Sequence, residues 1–594
     1  MVLLTGNEAV ACGATDAGVE MATGYPGTPA SEIIDYLATH VKDMYVEWST
    51  NEKVAFEFAA GASYAGVRSM CVMKHLGVNV ISDALTVVAY TGVDGGLLLV
   101  VTDDPQPFSS QSAIDTRYYA KLAKIPCIEP IDGQETYEMV GAGLDLSERL
   151  SLPVMLRATP RISHARFDVH TSAREKQPQK GREFKYDPKR YVMIAPHTAV
   201  NHVILNKKME KATEEAERFP YNAIEWADDS LGIIASGISY NYAKEAAHHL
   251  NIHPSILKLG MTHPLPPELI RSLAQRCDRL LVCEELEPIV EEGVRSLLGP
   301  QKVYGTLTGH IPREGELNPD VVIKALSTLE GIPLKPHSYP KVPARTPSLC
   351  AGCPHRPAYY AIKKALGGKG VVVGDRGCYN QGVYPPLSAI DVCVCMGSSI
   401  PIACGLYQSG IKPVVAVIGD STFFHAGMPG LLNAAYNNVP ITVVILDNSR
   451  TSMTGHQPNP GTGVTAMGHE TVVAIPEDIV RSFWADYIRT VDPMDVGETT
   501  KTMREALEFP GLSVVICRHP CAIVEGRYRH RVGVPTAPFM VNSEKCTGCR
   551  SCVALGCPGI EFIDGTAKIN GRCVGCSVCA QVCPAGAIER RGGS

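Results

Sequence analysis

Eight of the chain's 21 cysteines lie between Cys546 and Cys583, in two runs of the same form. The first reads Cys546-x2-Cys549-x2-Cys552-x4-Cys557-Pro558, and the second Cys573-x2-Cys576-x2-Cys579-x3-Cys583-Pro584. A C-x2-C-x2-C loop wraps three thiolates around one corner of an iron–sulfur cubane, and the Cys-Pro turn carries the fourth thiolate across to the other cluster. This assigns Cys546, Cys549, Cys552 and Cys583 to one [4Fe–4S] cluster and Cys573, Cys576, Cys579 and Cys557 to a second. The first run has one extra residue before Cys557, which predicts a bulged loop that keeps its ligand. A pair of zinc ribbons fits poorly, because zinc sites lack this interlocked repeat. Two linked clusters pass single electrons, so a redox reaction belongs elsewhere in the chain.

A second set of residues points to a cation and a phosphate. The segment from Lys412 to Asn448 reads strand, loop, helix, strand, with Asp420 ending the first strand and Asn448 the second. Adjacent parallel strands put both side chains at one crevice. An Asp and an Asn oxygen suit Mg²⁺, which then bridges to phosphate oxygens. Gly419 permits close backbone approach, and a helix after Gly427 can present N–H groups to the anion. A turn followed by a strand-end Asn is the structural alternative.

These residues need α/β scaffolding, and the chain supplies it. Residues 1–165 alternate strand-like segments (Tyr45–Trp48, Ser69–Lys74, Gly95–Thr102) with helix-like ones (Glu52–Gly66, with apolar Val54, Phe58 and Ala62, then Ile81–Tyr90). That alternation predicts a parallel sheet. Residues 166–225 read as a connector with a charged helix at Lys207–Arg218. A smaller α/β unit at 226–335 has candidate strands at Leu231–Gly237, in SILKLG and in RLLVCEE. His337–Pro347 is a Pro-rich linker. A third α/β unit spans 348–530, and the cysteine module 538–594 ends the chain. The fold class is therefore α/β with serial parallel-sheet domains and a small iron–sulfur domain.

Composition narrows the class. Hydrophobic residues make up 45% and charged residues 20%, values ordinary for a globular protein. The net charge of −6, with no Lys/Arg-rich run, argues against a general nucleic-acid binder. The start MVLLTGNEAV lacks a secretory pattern, and no apolar run approaches the ~20 residues of a membrane span. Clustered cysteines without a secretory signal imply metal ligation in a reducing cytoplasm. No G-x4-GK[ST] loop supports an ATP-dependent acyl-CoA synthetase.

The C-terminal module resembles a bacterial-type two-cluster ferredoxin. Asp420 and Asn448, 28 residues apart, resemble the GDG…N motif of thiamine-diphosphate enzymes, with Ser421 in place of the second glycine. That resemblance implies thiamine diphosphate and Mg²⁺, and points to the Arg450 backbone carbonyl as a further metal ligand. It also implies a glutamate facing N1′ of the aminopyrimidine, which relays the proton that activates the thiazolium carbon. The match is Glu52, in TNEKVAFEFAAGASYAG, with Glu57 as runner-up. GYPGTPASE (Gly24–Glu32) resembles the YPxTP substrate loop of 2-oxoacid:ferredoxin oxidoreductases, which places Thr28 on the substrate carboxylate; a Pro/Gly turn capping a helix through Ser31 is the alternative. His75, in MKHLGVN, matches a loop near the reacting centre.

LCAGCPHR (Leu349–Arg356), GDSTFFHAGMPGLLNA and DNSRTSMTGHQPNPGTG most resemble the large subunits of indolepyruvate:ferredoxin oxidoreductases, and the likeness in domain order covers nearly the whole chain. It implies oxidative decarboxylation of aryl pyruvates with coenzyme A to aryl-acetyl-CoA, CO2 and two equivalents of reduced ferredoxin. It also implies a smaller β subunit, hence a heterodimer or heterotetramer, an external ferredoxin, and a coenzyme A site largely outside this chain. Relatives hold a proximal cluster by a Cys-x2-Cys, a distant Cys and a late Cys. The counterparts here, as ligands of a third cluster, are Cys350, Cys353, Cys378 and Cys521, with Cys517 as alternative to the last; a group of free thiols packed in the core is the other reading. Cys393, Cys395 and Cys404 read as small buried hydrophobes. Two other readings stay open: a non-redox thiamine decarboxylase, and an electron-transfer subunit without its own catalysis.

Overall fold

The computed structural model describes residues 1–172, 184–335, 340, 342–343 and 346–591. It divides into two compact units, Met1–Tyr339 and Pro340–Ser594. The Pro-rich stretch His337–Pro347 lies largely outside the described residues.

The first unit is built on two sheets. The larger has seven strands in the order Met261–His263, Cys127–Ile128, Val154–Ala158, Leu97–Thr102, Ser69–Lys74, Met21–Gly24 and Tyr45–Trp48. All neighbours are parallel except Met261–His263, which runs antiparallel to Cys127–Ile128. The central strands are fully buried, which explains why Leu97–Val101 reads as an unbroken apolar run rather than an alternating one. Val2–Thr5 pairs antiparallel with Arg166–Val169, so the start of the expected connector closes back onto the first residues of the chain. The smaller sheet has five strands, Val303–Tyr304, Arg279–Cys283, Asp228–Ser236, Pro254–Leu259 and Ala223–Glu225, of which only the last is antiparallel.

The helix Glu52–Tyr64 forms as expected, but on a different face. Its buried residues are Glu52, Ala55, Phe56, Ala59, Ala60, Ala62 and Ser63, whereas Val54 and Phe58 are 43% and 38% exposed. The face against the sheet is Phe56 with small residues around it, not Val54 and Phe58. The helix expected at Ile81–Tyr90 begins earlier, at His75, directly after the strand Ser69–Lys74. The charged helix expected at Lys207–Arg218 runs from His197.

The second unit carries a five-stranded, wholly parallel sheet in the order Val371–Val373, Val414–Gly419, Thr442–Asp447, Ser513–Arg518, Tyr487–Val491. Two short antiparallel pairs, Phe539–Val541 with Ile588–Arg590 and the hairpin Ile560–Ile563 with Thr566–Ile569, frame the cysteine module. Its small core includes Leu555, Val578 and Ile588 beside the cysteines. Among the described residues no helix is long and apolar enough to cross a membrane.

Candidate active site

In the first unit the candidate side chains gather at the carboxyl ends of the strands. Asn51 caps the helix Glu52–Tyr64, its Oδ1 accepting from Val54 N at 2.9 Å. Glu52 is therefore the first helical residue, where the macrodipole favours a carboxylate. It is 7% exposed, and its side chain runs against Gly77. A Cβ on residue 77 would stand 2.6 Å from Glu52 Cγ and 3.1 Å from Oε1. Glu57 has no part in this: it is exposed and ion-paired with Lys53 one turn away.

The Gly24–Glu32 segment turns where Gly27 N donates to Ser31 Oγ at 2.8 Å. Ser31 thus closes the turn from inside the helix Ser31–His40 instead of capping it; the cap position is Ala30, without a side-chain bond. Thr28 is half-buried. Its carbonyl accepts from Ser109 Oγ at 3.3 Å, and the Ser109 carbonyl accepts from Lys74 Nζ at 3.1 Å. His75 is fully buried, with Nε2 3.0 Å from Ser112 O and, among the described residues, no partner for Nδ1. Burial pushes its pKa down, so the ring is neutral at pH 7. One loop, Asp103–Ser112, thus ties together Thr28, Lys74 and His75.

In the second unit Asp420 and Asn448 follow neighbouring parallel strands as expected. Arg450 N donates to both, at 3.1 Å to Asp420 Oδ2 and 3.2 Å to Asn448 Oδ1. The structure thus brings Arg450 to the pair through its backbone N–H. Asp420 is also held by Asn459, whose Nδ2 donates to Oδ2 at 2.9 Å. Burial, and then the Asp447 carboxylate, push the Asp420 pKa up to about 7. A buried acid carrying that penalty is suited to a cation that restores its charge.

Asn448 Nδ2 lies 3.5 Å from Nε2 of His355, which is buried and pushed down to about 4. A neutral Nε2 accepts from the amide NH2 and so turns Asn448 Oδ1 toward Arg450. His355 in turn packs edge-on against Tyr379, ring centroids 5.8 Å apart.

Two expectations change here. The helix does not start after Gly427. Helical backbone begins at Asp420, passes through a π-helical turn at Phe423–Gly427 and continues to Tyr436. The N–H groups nearest the strand end are therefore those of Asp420–Thr422, and π turns of this kind recur at functional sites. Gly419 makes room for a side chain rather than a ligand: a Cβ there would stand 2.6 Å from Tyr379 Cε1.

The cysteines sort as the spacing suggested. One cavity is walled by Cys546, Cys549, Cys552 and Cys583, and another by Cys557, Cys573, Cys576 and Cys579. Each cavity thus takes three thiols from one run and one from the other, and Cys353 also lines the second. Among the described residues no three ligating side chains already stand at metal-binding geometry, yet the donor set, four thiols around one apolar hollow, fits an iron–sulfur cubane. The extra residue before Cys557 is absorbed by a 3₁₀ turn at Val553–Leu555 and by Gly556 at φ 65°.

A further four cysteines are neighbours. Burial pushes Cys378 up to about 12, and the Cys521 and Cys350 thiols and the Asp420 carboxylate act in the same direction. Cys353 is likewise raised by burial and then, among its neighbours, by Cys378 and Cys350. Cys521 Sγ also lies 3.8 Å from His456 Nδ1. Cys517 is set apart, buried within the strand Ser513–Arg518 with Asp492 as its charged neighbour. Cys404 is buried, but Cys393 is half-buried and Cys395 exposed, so the last is no core hydrophobe.

Asn459, His355, Tyr379 and Gly77 were not singled out from the sequence. No spacing rule marks them, because each acts across a long stretch of chain.

Three family models match this arrangement. The pyruvate flavodoxin/ferredoxin oxidoreductase thiamine diphosphate-binding domain covers residues 12–228, the thiamine pyrophosphate enzyme C-terminal TPP-binding domain 375–517, and the 4Fe-4S binding domain 567–589. Together with the fold they define a thiamine-diphosphate- and iron–sulfur-dependent 2-oxoacid oxidoreductase. The chain belongs to the family of indolepyruvate oxidoreductase subunit IorA. It is 42% identical to that subunit from Methanothermobacter thermautotrophicus over 100% of this chain and 97% of the relative. It is 41% identical to the Archaeoglobus fulgidus subunit and 42% to the Pyrococcus horikoshii subunit, each over 99% of this chain and 97% of the relative.

Proposed function

We propose that this chain is the large catalytic subunit of an enzyme that oxidatively decarboxylates aryl pyruvates, of the indolepyruvate and phenylpyruvate type. Coenzyme A takes the acyl group, CO2 leaves, and two electrons pass singly to two ferredoxins. A smaller β subunit completes the enzyme. The observation that carries this reading is the convergence of Asp420 Oδ2 and Asn448 Oδ1 on one N–H, with Cys378 close enough for the Asp420 charge to raise its pKa.

When bound, thiamine diphosphate supplies the electron sink that decarboxylation of a 2-oxoacid requires. The chain's own residues do the rest. Asp420 and Asn448 would hold Mg²⁺ by their side-chain oxygens, with the Arg450 backbone carbonyl as a further ligand, and the N–H groups at Asp420–Thr422 would receive the diphosphate. Glu52 holds and returns the proton at N1′. Thr28 orients the substrate carboxylate, and His75, neutral and buried, donates or accepts a hydrogen bond at the reacting centre.

Three [4Fe–4S] clusters would carry the electrons out. The first would be held by Cys350, Cys353, Cys378 and Cys521. Support comes from their mutual electrostatic influence and from Cys353, which also lines the cavity of Cys557, Cys573, Cys576 and Cys579. That cavity would hold the second cluster. Cys579 in turn feels Cys552, which belongs to the third set with Cys546, Cys549 and Cys583.

The test is anaerobic purification with the β subunit, followed by ferredoxin reduction assays with indolepyruvate, phenylpyruvate and pyruvate. Coenzyme-A-dependent reduction with the aryl substrates is expected, together with about twelve iron per chain. Aldehyde release without ferredoxin reduction would instead identify a non-redox decarboxylase, and full activity of Glu52→Ala a subunit without its own catalysis.

A further inference from the structure

Arg356 is buried within the second unit, 4% exposed, and no carboxylate among the described residues pairs with it. Its guanidinium spends its donors on backbone carbonyls from two separate loops. Nε donates to Cys350 O at 2.9 Å, and Nη2 to Leu349 O. Nη1 donates to Leu555 O at 3.1 Å and to Gly556 O. The first loop carries Cys350 and Cys353. The second is the stretch lengthened by one residue just ahead of Cys557, so the irregular spacing is where this arginine docks.

The electrostatics of the site are unusual. An unpaired buried cation is costly, and neutral carbonyls repay only part of the desolvation. The two loops it grips carry ligands of two different cluster sets, Cys350 and Cys353 on one and Cys557 on the other. Arg356 also lines the hollow shared by Cys557, Cys573, Cys576 and Cys579, with Cys353 in the same wall. An iron–sulfur core bearing four thiolates is an anion in both oxidation states, and its potential is set by nearby charge and hydrogen bonding. The counter-charge this guanidinium lacks in the protein is therefore what two flanking clusters supply.

We propose that Arg356 is a positioning residue of the electron path: it clamps the Cys350–Cys353 loop to the Cys557 loop and holds the Cys557/Cys573/Cys576/Cys579 cluster at a potential high enough to accept electrons. Each transfer oxidises the cluster at Cys350 and Cys353 by one electron and reduces the cluster at Cys557 by one; two such transfers follow each decarboxylation, with no proton or bond exchanged. The donor side rests on the three-cluster reading above. The acceptor side does not, because the iron–sulfur module stands on its own cysteine pattern.

The test uses the anaerobically purified holoenzyme with Arg356→Gln and Arg356→Lys. Iron content, electron paramagnetic resonance redox titrations and ferredoxin-linked kcat are read on each. Arg356→Gln is expected to keep its iron, to lower the potential of the Cys557 cluster, and to lower the equilibrium constant for its reduction roughly tenfold, about 59 mV for a one-electron couple. The kcat falls, while the KM for the 2-oxoacid stays unchanged. Arg356→Lys keeps the charge and is expected to titrate close to wild type. Unchanged potentials in an iron-replete glutamine variant overturn the proposal. So does loss of the Cys557 cluster from both variants, which makes Arg356 a scaffold residue only. A wild-type enzyme with about eight iron per chain removes the three-cluster reading instead, and leaves the potential of the Cys557 cluster as the readout.

Discussion

Glu52 and Gly77 are fitted to one another: a single added carbon at residue 77 would stand 2.6 Å from Glu52 Cγ. The two residues sit on successive helices, Glu52–Tyr64 and His75–Thr91. Gly77 is therefore the space into which the Glu52 side chain is laid, and that contact aims the carboxyl group. Gly77→Ala is expected to overpack this contact at a cost of ~1–3 kcal/mol of stability. A displaced carboxylate loses its alignment with the atom it serves, so kcat should fall roughly a hundredfold, while thiamine diphosphate still binds. Steady-state kinetics alongside a cofactor titration check this. Gly77→Ala with wild-type kcat means that the Glu52 position does not matter.

Asn459 makes a comparable contact at the other site. Its amide donates to Asp420 Oδ2 at 2.9 Å, and so fixes which oxygen the carboxylate presents. Outer partners of metal ligands cost about 10–100-fold in affinity when removed. Asn459→Ala should weaken Mg²⁺–thiamine diphosphate binding by that factor, as read by calorimetry, with the melting temperature of the cofactor-free protein little changed. Unaltered affinity would sink the role given to Asn459.

Much of this site was legible beforehand, and the reasons differ by residue. Asp420 and Asn448 stand where strand ends put them, because an apolar run of five or six residues bounded by polar ones marks a buried parallel strand. The eight C-terminal cysteines were legible because a cluster imposes its spacing on a single local loop. The face of the helix at Glu52 was misread. Val54 and Phe58 satisfy a helical period, yet the buried face is Phe56 among alanines that a periodicity argument undervalues. Glu57 was a fair alternative only while that face was unknown. Asn459, His355 and Arg356 act on partners distant in the chain, and no local pattern encodes a tertiary hydrogen bond.

The raised pKa of Asp420 makes cofactor binding depend on pH. With the carboxyl pushed up to about 7 by burial and by Asp447, the cofactor-free protein carries Asp420 protonated below that pH. In the unfolded chain an Asp ionises near ~3.9. Between about 4 and about 7 the folded state therefore binds the extra proton, so this residue's contribution to stability falls as pH rises through that window and is level above it. A cation needs the ionised form. Mg²⁺-dependent thiamine diphosphate affinity is expected to rise about tenfold per pH unit below 7 and to level off above. Binding isotherms from pH 5.5 to 8.5 test it. A flat profile in the wild type would show that Asp420 is ionised throughout or not a ligand.

The last prediction separates two cysteines only four residues apart. Cys517 lies inside the strand Ser513–Arg518, fully buried, among Val372, Val415 and Val515 in one core cluster. Cys521 lies beyond the strand end, half-buried, beside His456 and within the influence of Cys350 and Cys378. A strand interior cannot swing a thiolate to a cluster without giving up ladder hydrogen bonds, whereas a residue just past the strand can. Cys521→Ser should therefore lose about four iron per chain and ferredoxin-linked turnover, and Cys517→Ser should lose neither. The serine at 517 buries a hydroxyl in an apolar core, so its cost appears as a melting temperature lower by a few degrees. Iron analysis of the two purified variants decides between them; a Cys517→Ser protein short of four iron with Cys521→Ser intact would reverse the assignment, and His456 would then have no thiolate to orient.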